Sequence, residues 1–169
     1  MRLGVVGMLP ADFRDISADD LSAIAALDLT GACSHAPGAM LAEVTAAQCA
    51  GVRDLYESAA MDFVQFGIGF GQCLFDPDDG VRAGLLDTIG RGIEVASELA
   101  AHYCLIRTGS LDPAGSYAPS ADNHHPHCRD RLVSSLRRVA DKAEAEGVTI
   151  VVETHLLTIM DSPQTNAAV

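Results

Sequence analysis

The stretch VTIVVETHLL, residues 148–157, decides how the rest of the chain is read. Ile150, Val151 and Val152 are three β-branched apolar residues in a row, the composition of a strand buried on both faces. Such a strand has little use for charge, yet this one runs into Glu153, Thr154 and His155. Side chains alternate along a strand, so Val151, Glu153 and His155 share one face if the backbone stays extended that far. An ionised carboxylate there needs a partner: a metal ion, an arginine or several N–H donors. A Glu and a His on one face suit Mn²⁺, Mg²⁺, Co²⁺ or Zn²⁺, with further ligands needed to complete the coordination. Pairing of Glu153 with a cation such as Arg107, at the end of the neighbouring strand, satisfies the carboxylate equally well. Spacing alone leaves both readings open.

Four more short apolar runs precede this one: LGVVG (3–7), LTGACS (29–34), DFVQFGIGF (62–70) and YCLIRTG (103–109). Helical signals separate them. Ser17 caps a helix over 17–27 with acidic residues in its first turn, where the helix dipole favours them. Thr45 opens a second helix, with Val52, Leu55, Tyr56 and Ala59 on one face. DPDDG is the turn and cap of a long third helix carrying Val81, Leu85, Ile89, Ile93, Ala96 and Leu99 at helical spacing. Asp76, Asp78 and Asp79 belong to that cap and lack EF-hand spacing. A Pro/Gly/Ser loop then runs to about residue 123. The next helix buries Leu132, Leu136, Val139 and Ala143 and ends at Gly147, a suitable C′ residue. No repeat or low-complexity segment stands out.

Apolar strands alternating with amphipathic helices predict a parallel sheet of right-handed βαβ units. A doubly wound open sheet and a (β/α)8 barrel both fit. No GxGxxG or GxxxxGK[ST] follows the first strand, which weakens the nucleotide-binding version of the open sheet. Both folds place function at the C-terminal ends of the strands.

At 169 residues and 49% hydrophobic content, one domain with an ample core is expected. A net charge of −12, with Lys142 the single lysine, repels phosphate backbones and argues against a nucleic-acid partner. Three tyrosines, five phenylalanines and no tryptophan leave few platforms for stacking bases. The five cysteines are odd in number and contain no CxxC, which points to buried thiols rather than a disulfide framework or zinc ribbon. Charged residues arrive before any long apolar run, and no stretch approaches the roughly 18 apolar residues of a membrane span, so a soluble, cytoplasmic chain is expected.

Two loops carry further candidates. NHHPHC (123–128) places three His and one Cys in six residues, but its spacing matches no familiar zinc site. Asn123 is expected to cap the following helix with the His residues solvated, and His124 is kept as a possible substrate contact. Arg107 is either a fork for a substrate carboxylate or phosphate, or a structural partner of Glu153. Gly67, Gly69 and Gly71 allow backbone to approach a ligand and serve a plain loop as readily. Ser162-Pro163 opens a helix with a cap and an N1 proline, but only PQTNAAV (163–169) follows, too short for a stable helix alone. Residues 1–169 are therefore expected to be the N-terminal part of a single larger domain.

TIVVETHLLTIMDSP (149–163) resembles the fifth-strand region of the xylose isomerase-like (β/α)8 barrels, the sugar phosphate isomerase/epimerase superfamily. The segment from Leu105 to Val148 is similar to the fourth unit and its loop in the same family. The resemblance is clearest over 103–165; the first three units match in rhythm only. It implies an α/β fold, an incomplete TIM-type barrel of about five strands and four helices. It implies that Glu153 is a divalent-metal ligand (Mn, Mg, Co or Zn, given the full barrel) and a catalytic residue beside the carbon whose proton moves. His155, Arg107 and His124 would contact the substrate. The family's other metal ligands come from strands six to eight. The implied activity is thus a metal-dependent isomerase or epimerase of a sugar or related hydroxy-carbonyl compound, with this chain expected to be truncated and inactive. Two alternatives stand beside it. One is an apurinic-site-type metal endonuclease of the same fold, against which the acidic balance counts. The other is a non-catalytic half-barrel that forms a homo-oligomer through its open sheet edges.

Overall fold

The computed structural model describes residues 3–167 and 169. Five strands, β1 (Gly4–Val5), β2 (Gly31–Pro37), β3 (Asp62–Gly69), β4 (Tyr103–Arg107) and β5 (Thr149–Glu153), alternate with helices α1 (Ala18–Ala25), α2 (Ala46–Ser58), α3 (Asp79–Glu98) and α4 (Pro126–Glu146). A single turn, α5 (Pro163–Asn166), follows β5. The strands are parallel and pair in the order β1-β2-β3-β4-β5. That order separates the two candidate architectures. A doubly wound sheet reverses its winding and carries helices on both faces. An unbroken consecutive order with right-handed crossovers puts every helix on one face, which is the arrangement of a TIM-type barrel.

Burial follows that geometry rather than the expectation of strands covered on both sides. On β2, Ala32, Ser34 and Ala36 are buried under the helices, whereas His35 and Pro37 are exposed. On β4, Cys104 and Ile106 are buried and Tyr103 is exposed; on β5, Ile150 and Val152 pack on the core while Val151 and Glu153 face out. The apolar inner-face residues Leu105 and Val151 need a facing strand to cover them, and among the described residues no strand does so.

The core lies between the helix-facing side of the sheet and α1–α4. Phe13, in a 3-10 turn before α1, meets Phe66 of β3 edge-on, with ring centroids 5.5 Å apart. α3 contributes Leu85, Ile89 and Ile93, each buried and each adding about 1.5–3 kcal/mol over an exposed side chain. Val81, expected on that same stripe, lies in the first turn of α3 and is 38% exposed. Gly92 lets α3 approach closely: a Cβ there would lie 2.3 Å from Cδ1 of Ile68.

Local signals set the ends of the helices. Ser17 with Asp20, Thr45 with Gln48 and Ser162 with Thr165 form capping boxes, and Asp78 accepts from the amides of Gly80 and Val81 at the start of α3. Three helices share one ending. Met61 N–H donates to Tyr56 O (2.9 Å), Ala101 N–H to Ala96 O (3.0 Å) and Val148 N–H to Ala143 O (2.9 Å). Each ending turns through a left-handed residue: Ala60 (φ 51), Ala100 (φ 53) and Gly147 (φ 67). Among the described residues no helix is long and apolar enough to cross a membrane.

Candidate functional site

The C-terminal ends of β2–β5 and the loop after β4 enclose a cavity of about 440 Å³, lined by His35, Gln65, Leu105, Arg107, Tyr117 and Glu153 among others. Alternation along each strand puts these side chains on the open face. β3 presents Gly67 and Gly69 there, so no side chain fills the floor between His35 and Arg107. A Cβ on Gly67 would already stand 3.3 Å from that of His35.

Arg107 and Glu153 are register partners on adjacent strands, yet they form no direct ion pair. Tyr117 stands between them. Arg107 Nη1 donates to the phenol oxygen (2.9 Å), and the phenol donates to Glu153 Oε2 (2.9 Å). Arg107 Nη2 donates to the carbonyl of Phe70 just past β3 (3.1 Å). The guanidinium carbon lies 5.6 Å from the Phe70 ring centroid and 5.2 Å from that of Tyr117, within cation–π range. Nε of Arg107 is buried and makes no hydrogen bond. Of the two roles the sequence leaves open for Arg107, partner of Glu153 or ligand fork, the structure joins it to Glu153 through a third residue.

Tyr117 lies in the Pro/Gly/Ser loop, where nothing in the pattern marked it. Its placement comes from anchors on both sides. Ser116 Oγ donates to the same Phe70 carbonyl (3.3 Å), and Ser110 Oγ donates to Ala118 O (2.7 Å). Asn123 closes the loop from below: it is fully buried, accepts from Leu111 N–H (2.9 Å) and donates from Nδ2 to Ser110 Oγ (3.0 Å). It therefore does not cap α4. His125 takes that position, its Nδ1 accepting weakly from His127 N–H at 3.4 Å. The Asn type fits a cap by local preference, but the unpaired amides and hydroxyls of the long loop claim it. Gly109, where the loop leaves β4, has φ +78, and a Cβ on it would lie 2.6 Å from Cys73 Cα. Only glycine fits that approach.

The strand expected over 148–157 ends at Glu153. His155 thus does not share the strand face with Glu153. Its carbonyl accepts from Thr158 N–H (3.1 Å) and its Nδ1 from Leu157 N–H (3.3 Å), a turn that competes with the ladder. The ring still reaches the site, 4.8 Å from the Tyr117 ring. His124 lies apart from the cavity lining. It lines a separate depression of about 470 Å³ with Ile159, Gln164 and Thr165, and its Nε2 is 3.9 Å from Asp161 Oδ2.

Cys33 shares the cavity wall, and burial pushes its thiol up, away from nucleophile behaviour. All five cysteines are free. Among the described residues no three His, Cys, Asp or Glu side chains come together in a group able to hold a metal ion. Glu153 is a single oxygen donor with one oxygen already engaged, so these residues alone do not fit a divalent metal.

The fold has counterparts among known proteins. The solved structure of an L-ribulose 3-epimerase superposes with a TM-score of 0.72 at 15% identity, over 99% of this chain and 55% of its own. A D-psicose 3-epimerase crystallised with D-fructose gives 0.70 at 19% identity, over 91% and 52%. A 3-keto-D-glucoside 4-epimerase from E. coli gives 0.67 at 16%, over 99% and 64%. The chain spans little more than half the length of these structures, and at such identities the likeness shows the fold alone. No curated protein matches the sequence at a significant level. A family model described as "Xylose isomerase-like TIM barrel" matches residues 22–167. With most of its length under that model and its sheet wound as one side of such a barrel, the chain belongs to the xylose isomerase-like TIM barrel family.

Proposed function

We propose that this chain forms the N-terminal five-stranded part of a sugar isomerase or epimerase barrel, and that Glu153 moves a proton at a carbon next to a carbonyl. The observation that carries the reading is the Glu153 carboxylate at the rim of the cavity, with Oε2 held by Tyr117 and Oε1 unbonded among the described residues. A carboxylate with one oxygen fixed and one free suits general acid–base work. His35, Gln65 and the tilted pair of Tyr117 and His155 offer donors, acceptors and ring faces to a polyhydroxylated ligand. The neighbours' names, all sugar epimerases, support the substrate class. Arg107 and His155, beside Tyr117, are the substrate contacts of this reading, whereas His124 lines the separate depression. Metal dependence is a separate matter, since the described residues do not complete a metal site.

The test is solvent exchange. Ketoses such as D-psicose, D-fructose and D-tagatose are incubated with the protein in D2O, with and without added Mn²⁺, and the loss of the C–H signal beside the carbonyl is followed by NMR. The complete barrel of which this chain forms the N-terminal part is expected to wash out that signal, and Glu153→Gln in that barrel to slow the exchange by about 100-fold or more. No exchange by the wild type, or equal exchange by Glu153→Gln, overturns the reading.

A further inference from the structure

The loop after β4 makes a contact that the proton-transfer reading does not require but that shapes it. We propose that Tyr117 is a positioning residue that selects the working oxygen of Glu153. Its phenol holds Oε2 and leaves Oε1 as the atom that takes and returns the proton. The inference rests on the reading of Glu153 as the proton-transferring group.

The direction of each hydrogen bond is forced. A guanidinium has only donors, so at the contact with Arg107 Nη1 the phenol oxygen accepts. The phenol has one proton, and it donates it to its remaining near partner, the carboxylate oxygen Oε2 of Glu153. The chain Arg107 → Tyr117 → Glu153 therefore runs one way, and Oε2 is committed to it. The Arg107 end of the chain and its Tyr117 link are pinned. The Phe70 carbonyl accepts from Arg107 Nη2 and from Ser116 Oγ, which ties the end of β3, the end of β4 and the residue before Tyr117 to one atom. The ring is held between the guanidinium at 5.2 Å and His155 at 4.8 Å. The arrangement fixes the carboxylate before any ligand arrives, and such preorganisation is worth more to a rate than to stability. Tyr117 is 42% exposed, so as a stability contact it contributes little.

Two measurements test this. In protein with ¹⁵N-labelled arginine, a guanidinium tied at both Nη atoms turns slowly about its Cζ–Nε bond and gives separate Nη signals. Arg107 is expected to show them in the wild type and to lose the separation in Tyr117→Phe, with other arginines unchanged. Averaged Arg107 signals in the wild type, or separation that survives in the variant, overturn the proposal. In the exchange assay, Tyr117→Phe is expected to lower kcat by about 10- to 100-fold with KM within about twofold. Wild-type exchange with an unimpaired Tyr117→Phe refutes the positioning role alone. A wild type that exchanges nothing refutes the reading of Glu153, and this inference with it.

Discussion

Cys104 occupies the middle of the helix-facing side of β4 and is fully buried. Burial pushes its thiol up to about 12, as it does first among the causes acting on Cys49, also raised to about 12, and on Cys73, raised to about 11. A raised folded value means that the folded thiol stays neutral while the unfolded one ionises. The stabilising contribution is thus complete below the unfolded value near 9 and is lost as pH rises from there towards the folded value. Each such group weakens the fold by about 1.4 kcal/mol per pH unit in that window. Urea unfolding at intervals from pH 9 to 11 measures the slope. Cys104→Val is expected to flatten it by about one proton's worth, and an unchanged slope would remove the thiol from the account. The same residue scale shows why half the site could be read from sequence. Glu153 and Arg107 stand out as charges closing apolar strands. Tyr117 and Asn123 lie in a loop with no periodicity, and their partners, 36 and 12 or 13 residues away in sequence, are set by the fold.

At the scale of elements, the number and type of strands and helices followed from hydrophobic period and caps, while the boundaries did not. β2 runs three residues past the expected LTGACS because its buried positions, Ala32, Ser34 and Ala36, are too small and too polar to write a clear alternation. β5 stops four residues early because His155 draws the backbone into a turn. The endings of α2, α3 and α4 were legible only at Gly147, although all three use the same left-handed turn. Alanine at Ala60 and Ala100 bears a steric cost there that glycine avoids, partly offset by glycine's greater freedom when unfolded. Ala60→Gly and Ala100→Gly are each expected to stabilise the protein by about 0.5–1 kcal/mol, against an opposite change for Gly147→Ala. Chemical denaturation of the three variants reads the sign directly. Destabilisation by both glycine substitutions would mean that chain entropy outweighs the strain at these turns.

For the whole molecule, two forces act in opposite directions on any encounter between copies. Among the described residues the sheet has free edges at β1 and β5, and unpaired edge groups invite a further strand. Its open face adds apolar surface, with Val151 36% exposed on β5 and Val6 71% exposed just after β1. Against this stands a net charge of −12, which makes like copies repel. Salt screens the repulsion, with a Debye length falling from about 30 Å at 0.01 M to about 8 Å at 0.15 M, and leaves the apolar and edge terms intact. Self-association of this chain is therefore expected to strengthen as salt rises, the reverse of an association held by ion pairs. Val151→Lys places a charge on the edge strand and the open face together, and is expected to keep the chain monomeric at every ionic strength. Sedimentation velocity over a tenfold range of concentration, at low and at moderate salt, separates the terms. A wild type that stays monomeric throughout shows the edges to be protected as they stand, and an association that salt weakens assigns the contact to charge instead.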